Sequence, residues 1–224
     1  MNVLSIETST EVCSVALRCG SNLHVREAAA GQPHSEIILP MIDALLAEAG
    51  IDRVDLNAIA FGAGPGSFTG LRIACGVAQG FAFGLRIPTA PVGTLLALAA
   101  ATRETRVIAS LDARMGEIYH AAYELCDGEW LEKIVPGLCR PEDAPAVEGG
   151  GWTGCGSGFE LHRAALESRY GSQLTGVREG LFPHAREVAE QGCRMIAAGL
   201  GVPAERALPV YLRDKVALKM NERK

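Results

Sequence analysis

The chain is predicted to be an α/β protein of two similar lobes, because a run of three strands followed by helices occurs twice in the same order and each copy ends its first strand on a carboxylate. A glycine-crowded strand-to-helix bend in the first copy is the third observation. Val3 to Glu7 (VLSIE), Val12 to Cys19 and Asn22 to Ala29 read as three consecutive strands, the first two separated by the polar turn Thr8-Ser9-Thr10. The order returns in Ile108 to Asp112 (IASLD), Gly116 to Leu125 and Glu129 to Val135, so that Ser5-Ile6-Glu7 is echoed by Ser110-Leu111-Asp112. Behind the first copy come a helix, the strand 58–61 and a second helix; behind the second come a glycine-rich stretch and helices near 158–169 and 185–199. The expected division is a first lobe over 1–103, a second over 104–202 and a basic tail over 203–224.

Within the second strand, Cys13, Val15, Leu17 and Cys19 alternate with Ser14, Ala16 and Arg18, which places both thiols on one buried face. The helix over 35–49 carries apolar rows at Ile37, Met41, Leu45 and at Ile38, Ile42, Leu46, Ala49, broader than a single contact surface needs, so two neighbours are expected. Pro40 lacks an amide donor and either begins that helix or bends it. Next comes the bend, FGAGPGSFTGLRI from Phe61 to Ile73. Gly62, Gly64 and Gly66 allow close backbone approach, Pro65 stiffens the middle, and Ser67 or Thr69 can cap the helix that follows. A phosphate cradle is disfavoured: no lysine follows Gly70 as a Walker loop requires, and Ser67 stands where a dinucleotide fingerprint starting at Gly62 wants glycine.

The helix over 70–84 has small residues every fourth position in two rows, Gly70-Ala74-Ala78-Ala82 and Gly76-Gly80-Gly84. Each interior glycine costs about 1 kcal/mol relative to alanine, so the rows imply a compensating close approach, either to the protein's own sheet or to a partner. Arg72, Arg86 and Pro88 break the apolar run well short of the ~20 residues that a bilayer demands, so no membrane span is expected.

Composition excludes several classes. A chain of 224 residues, 48% of them hydrophobic, can bury a sizeable core. The formal net charge of −5 argues against a broad nucleic-acid-binding surface, and an aromatic content of 5% leaves few base-stacking platforms. The seven cysteines contain no CxxC pair and are read as reduced core residues. The opening MNVLSIETSTE lacks a basic leader, so a cytoplasmic location is expected.

Three strands followed by alternating helix and strand, used twice, resemble the two-lobed actin-like, sugar-kinase-like (ASKHA) ATPase superfamily. The segments IETSTEVCSVAL, HSEIILPMIDALL, GPGSFTGLRIACGVAQG, DARMGEIY and PVYLRDKVALK narrow the resemblance to the TsaB (YeaZ) family, paralogues of TsaD in bacterial tRNA threonylcarbamoyladenosine synthesis, over residues 2 to about 219. That resemblance implies a noncatalytic subunit supporting TsaD, which transfers threonylcarbamoyl from threonylcarbamoyl-AMP to the adenosine beside the anticodon. It implies a heterodimer with TsaD through a four-helix bundle, a third subunit TsaE, tRNA bound indirectly through the complex, and no cofactor of the chain's own, with ATP or ADP and metal in the partner subunits. By position the bundle helices are 35–49 and 70–84, and the expected interface is Ile38, Met41, Ile42 and Leu45 with Gly70, Leu71, Ala74, Cys75 and Ala78. On that expectation, Ala78→Arg leaves a folded protein that no longer binds TsaD. A homodimer through the same face is the alternative assembly of the isolated chain.

The residues also bear on why catalysis would be absent. Active members of the superfamily follow the strand carboxylate with a glycine turn that offers amides to phosphate; here Glu7 precedes Thr8-Ser9 and Asp112 precedes Ala113-Arg114. Glu7 and Asp112 are therefore read as turn caps or as partners of Arg114, with a vestigial nucleotide or metal site as the alternative. Gly154 to Gly158 (GCGSG) is read as a plain loop, with a remnant adenosine loop as its alternative. No two of the five histidines stand at i,i+3 or i,i+4, so no metal site is drawn. His34 is read as a helix-entry residue, and GxSxG is absent. A stand-alone phosphotransferase or hydrolase remains the competing function. The tail, with Arg206, Arg213, Lys215, Lys219, Arg223 and Lys224, is read as a solvated terminus, with tRNA or TsaE contact as the alternative.

Overall fold

The computed structural model describes residues 1–28 and 31–213. The first sheet is built from β1 (Asn2–Glu7), β2 (Cys13–Cys19), β3 (Asn22–Ala28), β4 (Ala58–Gly64) and β5 (Thr89–Gly93) in the order β3-β2-β1-β4-β5. β1 pairs antiparallel with β2 and parallel with β4, so the duplicated hairpin is extended by two parallel crossover strands. The second sheet repeats the plan with β6 (Arg106–Asp112), β7 (Ile118–Cys126), β8 (Glu129–Cys139), β9 (Trp152–Cys155) and β10 (Leu174–Arg178), ordered β10-β9-β6-β7-β8. The two chemically parallel carboxylates, Glu7 and Asp112, thus end the central strand of each sheet's hairpin.

The helices are α1 (His34–Ala49), α2 (Phe68–Leu85), α3 (Thr94–Ala101), α4 (Ser157–Leu161), α5 (Arg163–Tyr170) and α6 (Ala185–Ala197). Strand alternation decides what each one covers. Leu4, Ile6, Val15, Leu17, Ile59 and Phe61 point to one face of the first sheet and share a core with Ile38, Ile42, Leu45 of α1 and Ala74, Ala78, Ala82 of α2. Val3, Ala58, Ala60, Ala90 and Val92 point to the other face and pack on Val188 of α6 and Ala97 of α3. In the second sheet, Val107, Ala109 and Leu111 meet Leu95 and Leu98 of α3, while Ile108, Ile118 and Ala122 meet Phe159, Leu166 and Tyr170 of α4 and α5. The result is a layered stack with α3 and α6 between two sheets.

This corrects the division drawn at residue 103. α3, from the first half of the chain, packs on the second sheet, and α6, from the second half, packs on the first. Ser5 and Ser14 fasten α6 there: Ser5 Oγ donates to the Ala185 carbonyl at 2.7 Å, and Ser14 Oγ accepts from the Ala185 amide at 2.9 Å. Each lobe therefore borrows a helix from the other's sequence. β5, α3, β9 and β10 lie outside the elements predicted; α3 is apolar on every face because it sits between two sheets, so it shows no period to read.

The tail is also corrected over the residues described. Ala204 and Ala207 belong to the first-lobe core, so 203–213 is packed chain and not a solvated terminus, while Lys215, Lys219, Arg223 and Lys224 lie outside the described residues. All seven cysteines are free thiols; Cys13, Cys75 and Cys155 are buried and the other four are half-buried, Cys19 beneath the same face as Cys13.

Candidate functional site

The glycine bend grips the protein itself. β4 runs on to Gly64, a cis peptide joins Gly64 to Pro65, and Ser67 caps α2 by accepting from the Gly70 amide at 3.4 Å, while Thr69 lies inside the helix. Opposite stands the Glu7-Thr8-Ser9 turn. A Cβ on Gly62 would fall 1.9 Å from Glu7 Oε2, and one on Gly70 would fall 1.9 Å from the Thr8 carbonyl oxygen. A Cβ on Gly66 would fall 2.6 Å from the Ser9 carbonyl oxygen, which accepts the Ser67 amide at 2.7 Å, and Thr8 Oγ1 donates to the Gly70 carbonyl at 2.8 Å. The missing side chains of Gly62, Gly66 and Gly70 thus make room for the Glu7-Thr8-Ser9 turn.

Glu7 is fully buried. Its Oε1 accepts the Ser9 amide at 2.6 Å, which is the turn-capping role expected, and its Oε2 has no partner. Burial pushes its carboxyl above the ordinary carboxylate value, although the hydrogen bonds from Ser9 and Thr8 pull the other way. A carboxyl whose folded pKa is raised contributes stability that is complete below its unfolded value, ~4.5, and is lost as pH rises through the folded one. Glu7→Gln removes that loss, so its melting temperature should exceed the parent's at pH 7 and 8, with the gap closing below about pH 4. Thermal melts across that range check it; a gap that is absent or widens on acidification contradicts a carboxyl held above its ordinary value.

Asp112 is the second-lobe counterpart. Its Oδ1 accepts the Arg114 amide at 3.1 Å, its Oδ2 lies 3.4 Å from the Arg114 guanidinium, and His162 approaches to 3.8 Å. Both expected roles, capping and pairing with Arg114, are present. The GCGSG stretch forms the end of β9 and the entry to the short α4; Ser157 Oγ accepts the Asp112 amide at 3.1 Å. Between the two carboxylate turns lies a cleft of about 570 Å³ whose walls include Ser9, Ser67, Asp112, Ser157 and Tyr211.

The helix faces are the main correction. Ile38, Ile42 and Leu45 of α1 and Gly70, Leu71, Ala74, Cys75 and Ala78 of α2 are all buried against this chain's own sheet or turns, and Met41 is half-buried beside them. The face expected to meet a partner is thus the inward face, because alanine and glycine there let α2 lie close to β4 and β1. The outward face is the other row: a Cβ on Gly76, Gly80 or Gly84 would meet nothing within 4 Å. Phe83 beside that row is 72% exposed and Leu39 on α1 is 49% exposed. The signal that separates the rows was the position of Gly70, whose contact with Thr8 is long-range and invisible in local spacing.

Chemistry in the cleft is limited. Each histidine has a polar neighbour: His24 near Glu48, His34 at the Glu11 carbonyl, His120 on Tyr170, His162 near Asp112 and His184 on Glu27. None of these is a serine or cysteine side chain. Burial raises the thiols of Cys75, Cys155 and Cys193 and pushes that of Cys13 up to about 11, which disfavours thiolate chemistry. Among the described residues no three His, Cys, Asp or Glu side chains gather as a metal site.

Comparison with known proteins places these features in a family. The family model described as TsaD, tRNA N6-adenosine threonylcarbamoyltransferase, matches residues 27–219. The tRNA threonylcarbamoyladenosine biosynthesis protein TsaB of Escherichia coli K12 is 38% identical, with 98% of this chain and 97% of that protein covered. TsaB of Haemophilus influenzae is 36% identical over 98% of this chain and 96% of its own length. The solved structure of YeaZ from Pseudomonas aeruginosa superposes with a TM-score of 0.86 at 38% identity, covering 94% of this chain and 99% of that one. A second Pseudomonas aeruginosa structure, described as similar to peptidase YEAZ, gives 0.87 at 38% identity over 95% of this chain and 99% of its own.

Proposed function

This chain belongs to the TsaB (YeaZ) family of tRNA threonylcarbamoyladenosine biosynthesis proteins, with a two-lobed ASKHA-like fold, and from that premise we propose that it is a noncatalytic subunit that binds TsaD and supports its transfer of threonylcarbamoyl from threonylcarbamoyl-AMP to the adenosine next to the anticodon. The observation that carries the reading is the bare outward row Gly76-Gly80-Gly84 of α2, flanked by exposed Phe83, with Leu39 of the neighbouring α1 also exposed. Interior glycine weakens a helix, and among the described residues no neighbour occupies the space it leaves here. A pair of helices from a partner can lie unusually close on such a face, closer than the usual ~8–10 Å between axes, with Phe83 and Leu39 as apolar anchors. Because α1 and α2 cover the same face of the first sheet, two helices from TsaD would complete a four-helix bundle.

The noncatalytic part of the reading rests on the cleft. Glycine turns are replaced by Glu7-Thr8-Ser9 and by Asp112-Ala113-Arg114, both carboxylates are engaged within their own turns, and the bend is packed on β1. ATP or ADP, metal and tRNA are therefore assigned to the partner subunits TsaD and TsaE, in the cytoplasm where tRNA is modified. The homodimer stays an alternative use of the same bare row and would compete with TsaD.

Reconstitution tests this directly. Threonylcarbamoyl transfer to tRNA, assayed with TsaD, TsaE and a threonylcarbamoyl-adenylate synthase, should require this chain, and the chain alone should hydrolyse neither ATP nor a generic ester or peptide. Turnover of any of these by the purified chain, abolished by one Ser or Cys substitution, overturns the noncatalytic reading; full modification in its absence overturns the subunit reading.

A further inference from the structure

We propose that Pro203–Arg213 is an interlobe strap whose releasable latch, the Arg213–Glu117 pair, sets the angle between the lobes and keeps the cleft closed. The strap starts at a backbone bridge from Val202 to Thr89 on β5 and runs under α2, where the Ala207 carbonyl accepts from Gln79 Nε2 at 2.7 Å and from Cys75 Sγ at 3.0 Å. It then passes the bend, where the Val210 amide donates to the Ala63 carbonyl at 2.7 Å. Gly64, at φ +116°, makes room for it, since a Cβ there would fall 2.5 Å from the Val210 carbonyl oxygen. Tyr211 packs on Phe68 and accepts from Arg72 Nε at 3.0 Å. All of these anchors belong to the first lobe.

Only the last two residues reach the second lobe. Leu212 packs, half-buried, on the core of Leu111 and Tyr119, and Arg213 donates to Glu117 Oε2 at 2.6 Å and to the Arg114 carbonyl at 3.3 Å. Val210, Tyr211, Leu212 and Arg213 all line the cleft, so the strap forms one of its walls. The chain passes from the first sheet to the second over 94–105, through α3, and returns over 179–184, and none of these residues lines the cleft. Two crossings away from the cleft and a strap across it make a hinge and a latch.

The anchorage is unequal. Ala204 and Ala207 are buried in the first-lobe core, whereas among the described residues the second-lobe end rests on half-buried Leu212 and on the side chain of Arg213, which pairs with Glu117 and reaches the Arg114 carbonyl and Met115 Sδ. Arg213 Nε is buried without a hydrogen-bond partner, a cost carried only in the latched state. The Arg213 end therefore lets go first, and the lobes part about the crossings while the strap stays seated on α2.

Hydrogen exchange on the full chain tests this with Arg213→Ala, Glu117→Arg and the double charge swap Arg213→Glu with Glu117→Arg. Each single variant should speed exchange about tenfold at Ala113, whose amide donates to the Glu117 carbonyl on the opposite wall, while Val210, on the seated part of the strap, and β1 and β6 keep their protection. The radius of gyration by X-ray scattering should rise, and the swap should restore both readouts. Faster exchange confined to 210–213, with Ala113 and the radius unchanged, overturns the proposal and leaves a terminus that is merely packed. Unchanged exchange in the single variants, or loss of protection through both sheets, also overturns it.

Discussion

A Gly80→Arg variant is expected to fold as the parent does and to bind TsaD about 100-fold more weakly, a loss of ~2.7 kcal/mol. Gly80 lies in the middle of the outward row, and a Cβ there meets nothing within 4 Å, so the free chain can carry an arginine without rearrangement. A helix packed against that row cannot, because the guanidinium and its stem must fill the space that the missing side chains leave. Gly80→Ala separates the two demands further. Alanine should stabilise the free chain by up to about 1 kcal/mol and still weaken the complex, since the glycine is unfavourable to the helix and useful only at an interface. Gel filtration and calorimetry of the mixed proteins read the binding, and circular dichroism reads the fold. Unimpaired binding of Gly80→Arg removes the outward face from the interface. Ala78→Arg gives no such information: Ala78 is fully buried against the sheet, and an arginine there is expected to unfold the protein.

The second large effect is expected at Gly70, in the first turn of the same helix and on the row that meets the β1–β2 turn. Gly70→Ala should lower the unfolding free energy by roughly 3 kcal/mol or more. Its Cβ would sit 1.9 Å from the Thr8 carbonyl oxygen, which is backbone and cannot swing aside as a side-chain tip can. Relief requires α2 or the β1–β2 turn to move, and the two are tied together by the hydrogen bonds that the Ser67 amide donates to the Ser9 carbonyl and Thr8 Oγ1 donates to the Gly70 carbonyl. Gly76→Ala, six residues along, should instead be neutral or stabilising, because its side is open. Urea titrations of the pair decide it. Equal stabilities for the two variants contradict the assignment of inward and outward rows.

These paired expectations show what local spacing could and could not supply. Both glycine rows on α2 have the same period, so the helix and its two bare faces were readable from residues four apart. Which face turned inward depended on Thr8, more than sixty positions away in sequence but in contact with Gly70. The same holds for α1, where Ile38, Ile42 and Leu45 formed a legible stripe whose destination was this chain's own core. The Arg213 end of the chain looked like a charged terminus because charge, taken by itself, signals solvent; its partner Glu117 lies almost a hundred residues earlier.

By itself the sequence determined the duplicated α/β plan, the strand-ending carboxylates Glu7 and Asp112, a helix cap at Ser67 or Thr69 and the family, since periodicity, capping and motif are properties of residues close together in the chain. Tertiary structure alone decided the exchange of α3 and α6 between the lobes, the filling of the glycine bend by the Glu7-Thr8-Ser9 turn, and the choice of the Gly76-Gly80-Gly84 row as the free face. The reason is steric and non-local: a glycine is equally bare on every side, and only the atoms that the fold brings against it show whether the space is used within the chain or left open.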